Sequence, residues 1–410
     1  MFYPEKGKKY VRIRKNHRNY QEERRNRRRV RGIFALIIIA AFIATCAYIE
    51  LPQMIAAAAV RLYEAYSTNS ITDAPEAAAE EEIPEEEEVV EEEPPKPVEI
   101  VFTGDVELSE YVQSNYNSTG ISGVCSNGMQ KVLKKADITA VNNEFAFSER
   151  GTPADKQYTF RVAPSFVSVL TELGIDVAGL ANNHSLDYGQ EALSDTIDTL
   201  NGAGIENTGA GSSLDEASRL IIKEVEGKKF GFLACSRVIP YASWDVRNAQ
   251  PGLFTCYDPT ELVARTQAAK SRCDYLFVMI HWGIEHTTKL EAYQSQIGHA
   301  VIDAGADAVI GTHPHILQGI EYYGGKPIFY SLGNFIFNRD ISQTAVVRVT
   351  VDEEAGVSYT VIPCYAGGAT TYLSNETGTT GYDKTEEILE TLRGLSPNVE
   401  LAADGNMTER

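Results

Sequence analysis

At 410 residues, 43% of them hydrophobic, the chain is long enough for one large or two ordinary domains with true cores, which excludes a wholly disordered protein. Its formal net charge of −20 is unevenly split: residues 1–31 carry thirteen Lys and Arg against three Glu, a net of +10, and the remainder carries −30. Six cysteines, at positions 46, 125, 235, 256, 273 and 364, form no CxxC pair and no dense framework, which excludes a zinc module or a disulfide scaffold.

The basic arm, residues 1–31, would suit nucleic acid if it stood alone. Its neighbour gives the charge another meaning. Residues 32–49, GIFALIIIAAFIATCAYI, are uncharged, and as a helix they rise about 27 Å, close to the thickness of a bilayer core. One transmembrane helix is expected here, an uncleaved signal-anchor whose helical composition continues to residue 66. Basic residues stay cytoplasmic, so a single-pass cell-membrane protein follows, with the arm inside, the main domain extracellular and no nucleic acid as partner. Residues 67–97 hold twelve acidic residues between Asp73 and Glu93, no Lys or Arg in that stretch, and prolines at 75, 84, 94, 95 and 97. Such a segment repels itself and reads as an extended acidic linker.

From residue 98 apolar runs alternate with amphipathic ones. Val98–Thr103, Ile138–Asn142, Val177–Ala181, Cys273–Ile280 and Ala308–Gly311 read as strands. Helical patterns fall between them at Gly128–Lys135, Pro164–Leu173, Gln190–Asn201, Asp258–Ser271 and Gln294–Ala304. This alternation predicts an α/β fold, in which ligands bind outside the carboxyl ends of the strands. Two hairpin-like tracts, Leu220–Cys235 and Thr344–Ile362, favour a mixed or double sheet over a single parallel one. The domain is expected to span 98–395, with 396–410 a loose tail.

All five predicted strands end in polar residues. The stretch LANNHSLDYG, residues 180–189, is compatible either with a polar turn or with a metal centre. The other strand ends favour the centre, because together they supply Asp105, Glu144, Asn183, His184, His281, His313 and His315, with four of the seven histidines of the chain among them. Hard oxygens and imidazoles, with one carboxylate able to bridge, are what a pair of divalent ions requires, and such a pair suits in-line phosphoryl displacement. In His313-Pro314-His315 the proline is expected to hold two imidazoles in fixed directions in an extended turn. Asp187 is open between orienting His184 and capping the next helix, and Asn334 between lining the cleft and forming a turn.

The segments GDVEL, NNE, LANNHSLDYG, HWGIEH and IDAGADAVIGTHPHILQGIEYYGGKPIFYSLGNFIF resemble the poly-γ-glutamate capsule biosynthesis (CapA-type) family, which is similar to calcineurin-like metallophosphoesterases. The resemblance covers about residues 98–340. It implies a four-layer α/β/β/α sandwich and one or two divalent ions (Mn, Fe or Zn). Asp105 and His315 would serve the first ion, Glu144 would bridge, Asn183, His281 and His313 would serve the second, and His184 would meet the reacting phosphoryl group. The first motif departs from the superfamily's Asp-x-His: Glu107 stands where the histidine is expected. Because alternate strand residues share a face, Glu107 is expected beside Asp105 as a substitute metal ligand; pointed away, it would leave the first ion short of one. The implied role is capsule biosynthesis or export with a phosphoesterase-like hydrolase site, the partners being capsule polymer or polymer synthase and export subunits. The alternative is a non-catalytic accessory that holds polymer in the same cleft.

Overall fold

The first strand, β1 (Val98–Val106), forms from a nearly continuous run of β-branched and aromatic residues, and all of it except Glu99 is buried. A strand covered on both faces reads this way. Residues 96–410 are described by the computed structural model. The basic arm, the transmembrane anchor and all but the end of the acidic linker lie outside the described residues. Among the described residues no helix is long and apolar enough to cross a membrane.

The domain is a mixed α/β structure built on two large sheets. Following β1 along the chain are β2 (Ile138–Asn143), β3 (Val177–Gly179), β4 (Glu206–Thr208), β5 (Ile221–Val225), β6 (Lys228–Ser236), β7 (Tyr275–His281), β8 (Ala308–Thr312), β9 (Ile320–Tyr323) and β10 (Lys326–Phe329). Then come β11 (Asn334–Ile336), β12 (Ile341–Asp352), β13 (Gly356–Gly367), β14 (Thr370–Leu373), β15 (Val399–Leu401) and β16 (Asn406–Glu409). The larger sheet runs β15-β16-β13-β12-β1-β2-β3-β4, with β11 beside β1 and β14 beside β13; the smaller runs β9-β10-β8-β7-β6-β5. Within them β1, β2, β3 and β4 are mutually parallel, as are β6, β7 and β8, whereas β12–β13 and β5–β6 are the two expected hairpins.

Three cores order the layers. Ile100, Phe102, Phe232, Phe277, Phe329 and Val347, drawn from both sheets, pack into one core between them. A second core joins the other face of the larger sheet to α1 (Glu110–Thr119), α2 (Asn127–Lys135), α3 (Val167–Leu173) and α4 (Gly189–Gly202). A third joins the smaller sheet to α5 (Leu214–Ala217), α6 (Thr260–Lys270) and α7 (Ala292–Asp303). The last helix, α8 (Thr385–Leu395), closes the inter-sheet core with Ile388, Leu389 and Leu392. The five described cysteines are buried and free.

The end of the chain corrects the sequence expectation. Residues 396–410 are not loose: β15 and β16 pair with each other, β16 pairs with β13, and Val399, Leu401 and Met407 are buried in the inter-sheet core. The apolar residues there are too few and too widely spaced to give a periodic signal, and the edge of β13 provides the missing partners.

The tip of β1 is held close to the segment before β11. Asp105 N–H donates to Gly333 O at 3.0 Å, and a Cβ on Gly104 would lie 1.9 Å from that same oxygen. Gly104→Ala is therefore expected to destabilise the domain by about 3 kcal/mol. Gly202→Ala, where a Cβ meets nothing within 4 Å, is expected to be neutral or slightly stabilising. Urea denaturation of both variants checks the contrast.

Candidate metal centre

The two parallel strand sets deliver their carboxyl ends to one place. Asp105 closes β1, Glu144 follows β2, Asn183 and His184 follow β3, His281 ends β7, and His313 follows β8. Glu144, His313 and His315 each offer a ligand atom, and these atoms lie within 4.8 Å of one another. His281 Nε2 is 2.8 Å from Asn183 Oδ1 and 3.5 Å from Glu144 Oε1. His315 Nδ1 is 3.3 Å from Asp105 Oδ2 and 2.8 Å from Asn334 Oδ1. Asn334 therefore lines the cluster.

Three buried atoms here have no hydrogen-bond partner in the protein: Glu144 Oε1, Glu144 Oε2 and His313 Nδ1. Buried polar groups are otherwise nearly always paired, and an unpaired carboxylate is among the most costly to bury. These orphans are a hard oxygen pair and an imidazole nitrogen, the donor set of a divalent site.

The electrostatics follow from that burial. Desolvation, reinforced by Asp105, holds the Glu144 carboxyl well above the usual carboxylate range. Burial, with His315 adding to it, pushes His313 down to about 3, and burial beside His313 also lowers His281. Burial alone would lower His315 too, but Glu144, Asp105 and the bond to Asn334 outweigh it and raise His315 to about 10. The cluster thus packs buried acids against imidazoles, and a bound cation would relieve the burial of the Glu144 carboxyl.

Beside it lies a second unit. His184 Nδ1 is 2.7 Å from Asp187 Oδ2, and its ring stacks on Phe160 with centroids 4.2 Å apart. Asp187 also accepts from the Phe160 backbone N–H and from Lys156 Nζ, each at 2.7 Å. Lys156 donates as well to the Asn183 carbonyl at 2.6 Å. Burial lowers the His184 pKa against the opposing pull of Asp187. Asp187 is fully engaged in this arrangement, and α4 begins without a side-chain cap, so its contacts lie with His184 and not with the helix end.

Glu107 is not brought into the cluster. The register of β1 against β11 shifts between Asp105 and Val106, which breaks the two-residue alternation on which the expectation rested. Glu107 is buried elsewhere, its pKa raised to about 8 by desolvation, with Glu110 the only charged neighbour contributing. The His313-Pro314-His315 turn is not extended either: His313 and His315 have φ of 98° and 60°. Sequence reasoning missed Asn142, which donates to Asp105 Oδ1 at 2.8 Å, and Lys156, whose loop carries no periodic or motif signal. It also missed Glu285, which lines the open cleft of about 440 Å³ with Lys156, Asn183, Ile239, Gly283 and His313.

Residues 99–339 match the family described as bacterial capsule synthesis protein PGA_cap. The chain is 31% identical over 246 residues to the PGA biosynthesis protein CapA of Bacillus subtilis (strain 168), covering 59% of this chain and 64% of that one. It is 29% identical over 275 residues to the capsule biosynthesis protein CapA of Bacillus anthracis, covering 64% and 66%. A probable polyglutamine synthesis accessory protein of Mycobacterium tuberculosis is 34% identical over 210 residues, 49% of this chain and 55% of its own. The chain thus spans less than two thirds of the length of these relatives.

Glu107 gives a pH-dependent prediction. Between the unfolded value near 4.5 and the folded value of about 8, the folded protein keeps a proton that the unfolded chain releases. Stability is therefore full below pH 4.5 with respect to this group and is lost as pH rises towards 8. Glu107→Gln is expected to flatten that fall and to raise Tm by roughly 5 °C at pH 8, with little change at pH 5. Thermal melts of both proteins across this range check it.

Proposed function

Because the chain belongs to the PGA_cap family of bacterial capsule synthesis proteins, we propose that it acts in the biosynthesis or export of a capsule polymer of the poly-γ-glutamate type. In this reading it is anchored in the membrane through residues 32–49, with its domain outside the cell, and its cleft is a metal-dependent, phosphoesterase-like hydrolase site. The two facing sheets flanked by helices support reading the domain as the four-layer α/β/β/α sandwich of metallophosphoesterases. The observation that carries the proposal is the set of orphaned atoms, Glu144 Oε1 and Oε2 and His313 Nδ1, buried at the carboxyl ends of parallel strands.

Glu144, His313 and His315 would hold a divalent ion (Mn, Fe or Zn), with Asp105, Asn183 and His281 placed to complete its shell or to hold a second. When bound, such an ion supplies Lewis acidity towards a phosphoryl oxygen and lowers the pKa of a water. The chain's own residues do the rest. Asp187 takes the Nδ1 proton of His184 in a hydrogen bond, which leaves Nε2 to pass a proton to or from the reacting oxygen. Lys156 pairs with Asp187 at 2.7 Å and ties the Asn183 carbonyl to the same point. Phe160 against His184, and Phe337 against His315 with centroids 4.9 Å apart, restrict water on that side.

A second reading, an accessory that holds polymer without turning it over, is favoured by one observation: Glu107 lies outside the cluster, so the first motif contributes Asp105 alone. The test uses the full-length chain purified in detergent, with metal content after dialysis and hydrolysis of p-nitrophenyl phosphate measured side by side. Bound Mn, Fe or Zn is expected, lost in His313→Ala and Glu144→Ala. Asp187→Asn is expected to retain metal while kcat falls about a hundredfold. No retained metal in the unaltered chain overturns the hydrolase reading, and retained metal without turnover of any phosphate ester leaves the accessory one.

A further inference from the structure

One strongly basic group at this end of the domain is used by nothing described above. Arg237 is the first residue after β6, and its backbone N–H donates to the His281 carbonyl at 2.8 Å. It thus sits one peptide from the strand whose last side chain enters the cluster. The next three residues, Val238, Ile239 and Pro240, form one wall of the cleft, and Gly283 to Glu285 form another.

The guanidinium is clamped between two rings. Its carbon lies 4.0 Å from the Tyr257 ring centroid and 4.7 Å from that of Tyr293. Both rings are in turn fixed to the cleft walls. The Tyr257 hydroxyl accepts from Ile239 N–H at 3.1 Å. The Tyr293 hydroxyl accepts from Gly283 N–H at 3.1 Å and lies 3.2 Å from the Gly283 carbonyl. Tyr257 is 46% exposed, so the bracket lies at the surface, tied to the cleft walls by these backbone bonds.

Both rings lie against the guanidinium, and neither takes its N–H groups. It carries five N–H donors, and among the described residues no carboxylate is within ion-pair distance of Arg237 and no acceptor is hydrogen-bonded to its side chain. A planar fork held flat by stacking is pre-organised for bidentate binding of a carboxylate or phosphate. Long-range attraction cannot recruit such an anion, because residues 96–410 carry a net −17. A local guanidinium with its donors unfilled is what an anionic ligand needs in order to enter this cleft.

We propose that Arg237, bracketed by Tyr257 and Tyr293, is an oxyanion subsite at the edge of the cleft, taking one carboxylate or phosphate of a ligand whose neighbouring group lies at the Glu144–His313–His315 cluster. The second point of attachment rests on the metal-site reading; the anion subsite does not, and it is tested without turnover. Calorimetric titration of the full-length chain in detergent uses two probes, inorganic phosphate and a short glutamate oligopeptide, on protein loaded with Mn²⁺ and on protein stripped with chelator. Arg237→Met is expected to weaken binding of at least one probe about tenfold or more in both states, with metal content unchanged. Arg237→Lys, which keeps the charge but loses the fork and the stack, is expected to recover only part of it. Loss confined to phosphate assigns a phosphate ligand, and loss confined to the oligopeptide assigns a carboxylate. The proposal is overturned if Arg237→Met binds both probes as the unaltered chain does, or if the unaltered chain binds neither at millimolar concentration. Failure of the metal-site reading shows differently, as a chain that retains no metal while the Arg237 effect persists in stripped protein.

Discussion

The burial of the Glu144 carboxylate is the constraint on which the rest of the site depends. Both of its oxygens are enclosed without a donor, a condition that folding tolerates where the group takes up a proton or another positive charge compensates. His315, held protonated by Glu144 and Asp105 and by its bond to Asn334, supplies part of that charge. His313 and His281 do not, since burial drives both towards the neutral form. One cation among three imidazoles around two acids is a pocket tuned to accept more positive charge, and neutral imidazoles are the form in which histidine ligates a metal. The acids create the need for a cation, and the same burial that raises their energy keeps the ligand nitrogens free.

Much of this was legible in the chain. The polar clusters at the ends of the apolar runs marked the site because parallel strands deliver their carboxyl ends to one edge, so residues far apart in sequence, such as Glu144 and His313, meet by topology. The hairpins were legible from the turns EGKK and DEEAG, which read as breaks between apolar runs. Glu107 was misread because the argument from alternation assumes an unbroken ladder, and β1 has a register shift at the residue before it. The terminal strands β15 and β16 were missed because their order comes from pairing with β13 and not from local pattern. Lys156 was unreadable for a related reason: its three side-chain hydrogen-bonding partners lie 27 to 31 positions away, and nothing local demands a lysine there.

The turn that carries two of the histidines shows how the scaffold and the site share one device. His313 has φ of 98° and precedes a proline, a combination that is sterically disfavoured and that persists only where surrounding contacts over-determine it. Asp105 provides such a contact: its two oxygens accept from the His313 backbone N–H at 3.4 and 3.2 Å while it also engages Asn142 and His315. That carboxylate reaches the turn because Gly104 lets the tip of β1 lie against the Gly333 carbonyl. The absence of a side chain at residue 104 is thus coupled to the aim of the imidazoles at 313 and 315. Asp105 therefore has a structural duty whichever metal reading holds, and its replacement would misdirect His313 and His315 together. A loss of metal on changing Asp105 would not by itself show direct ligation, whereas a loss on changing Glu144, whose oxygens bond to nothing else, would point to the ion itself.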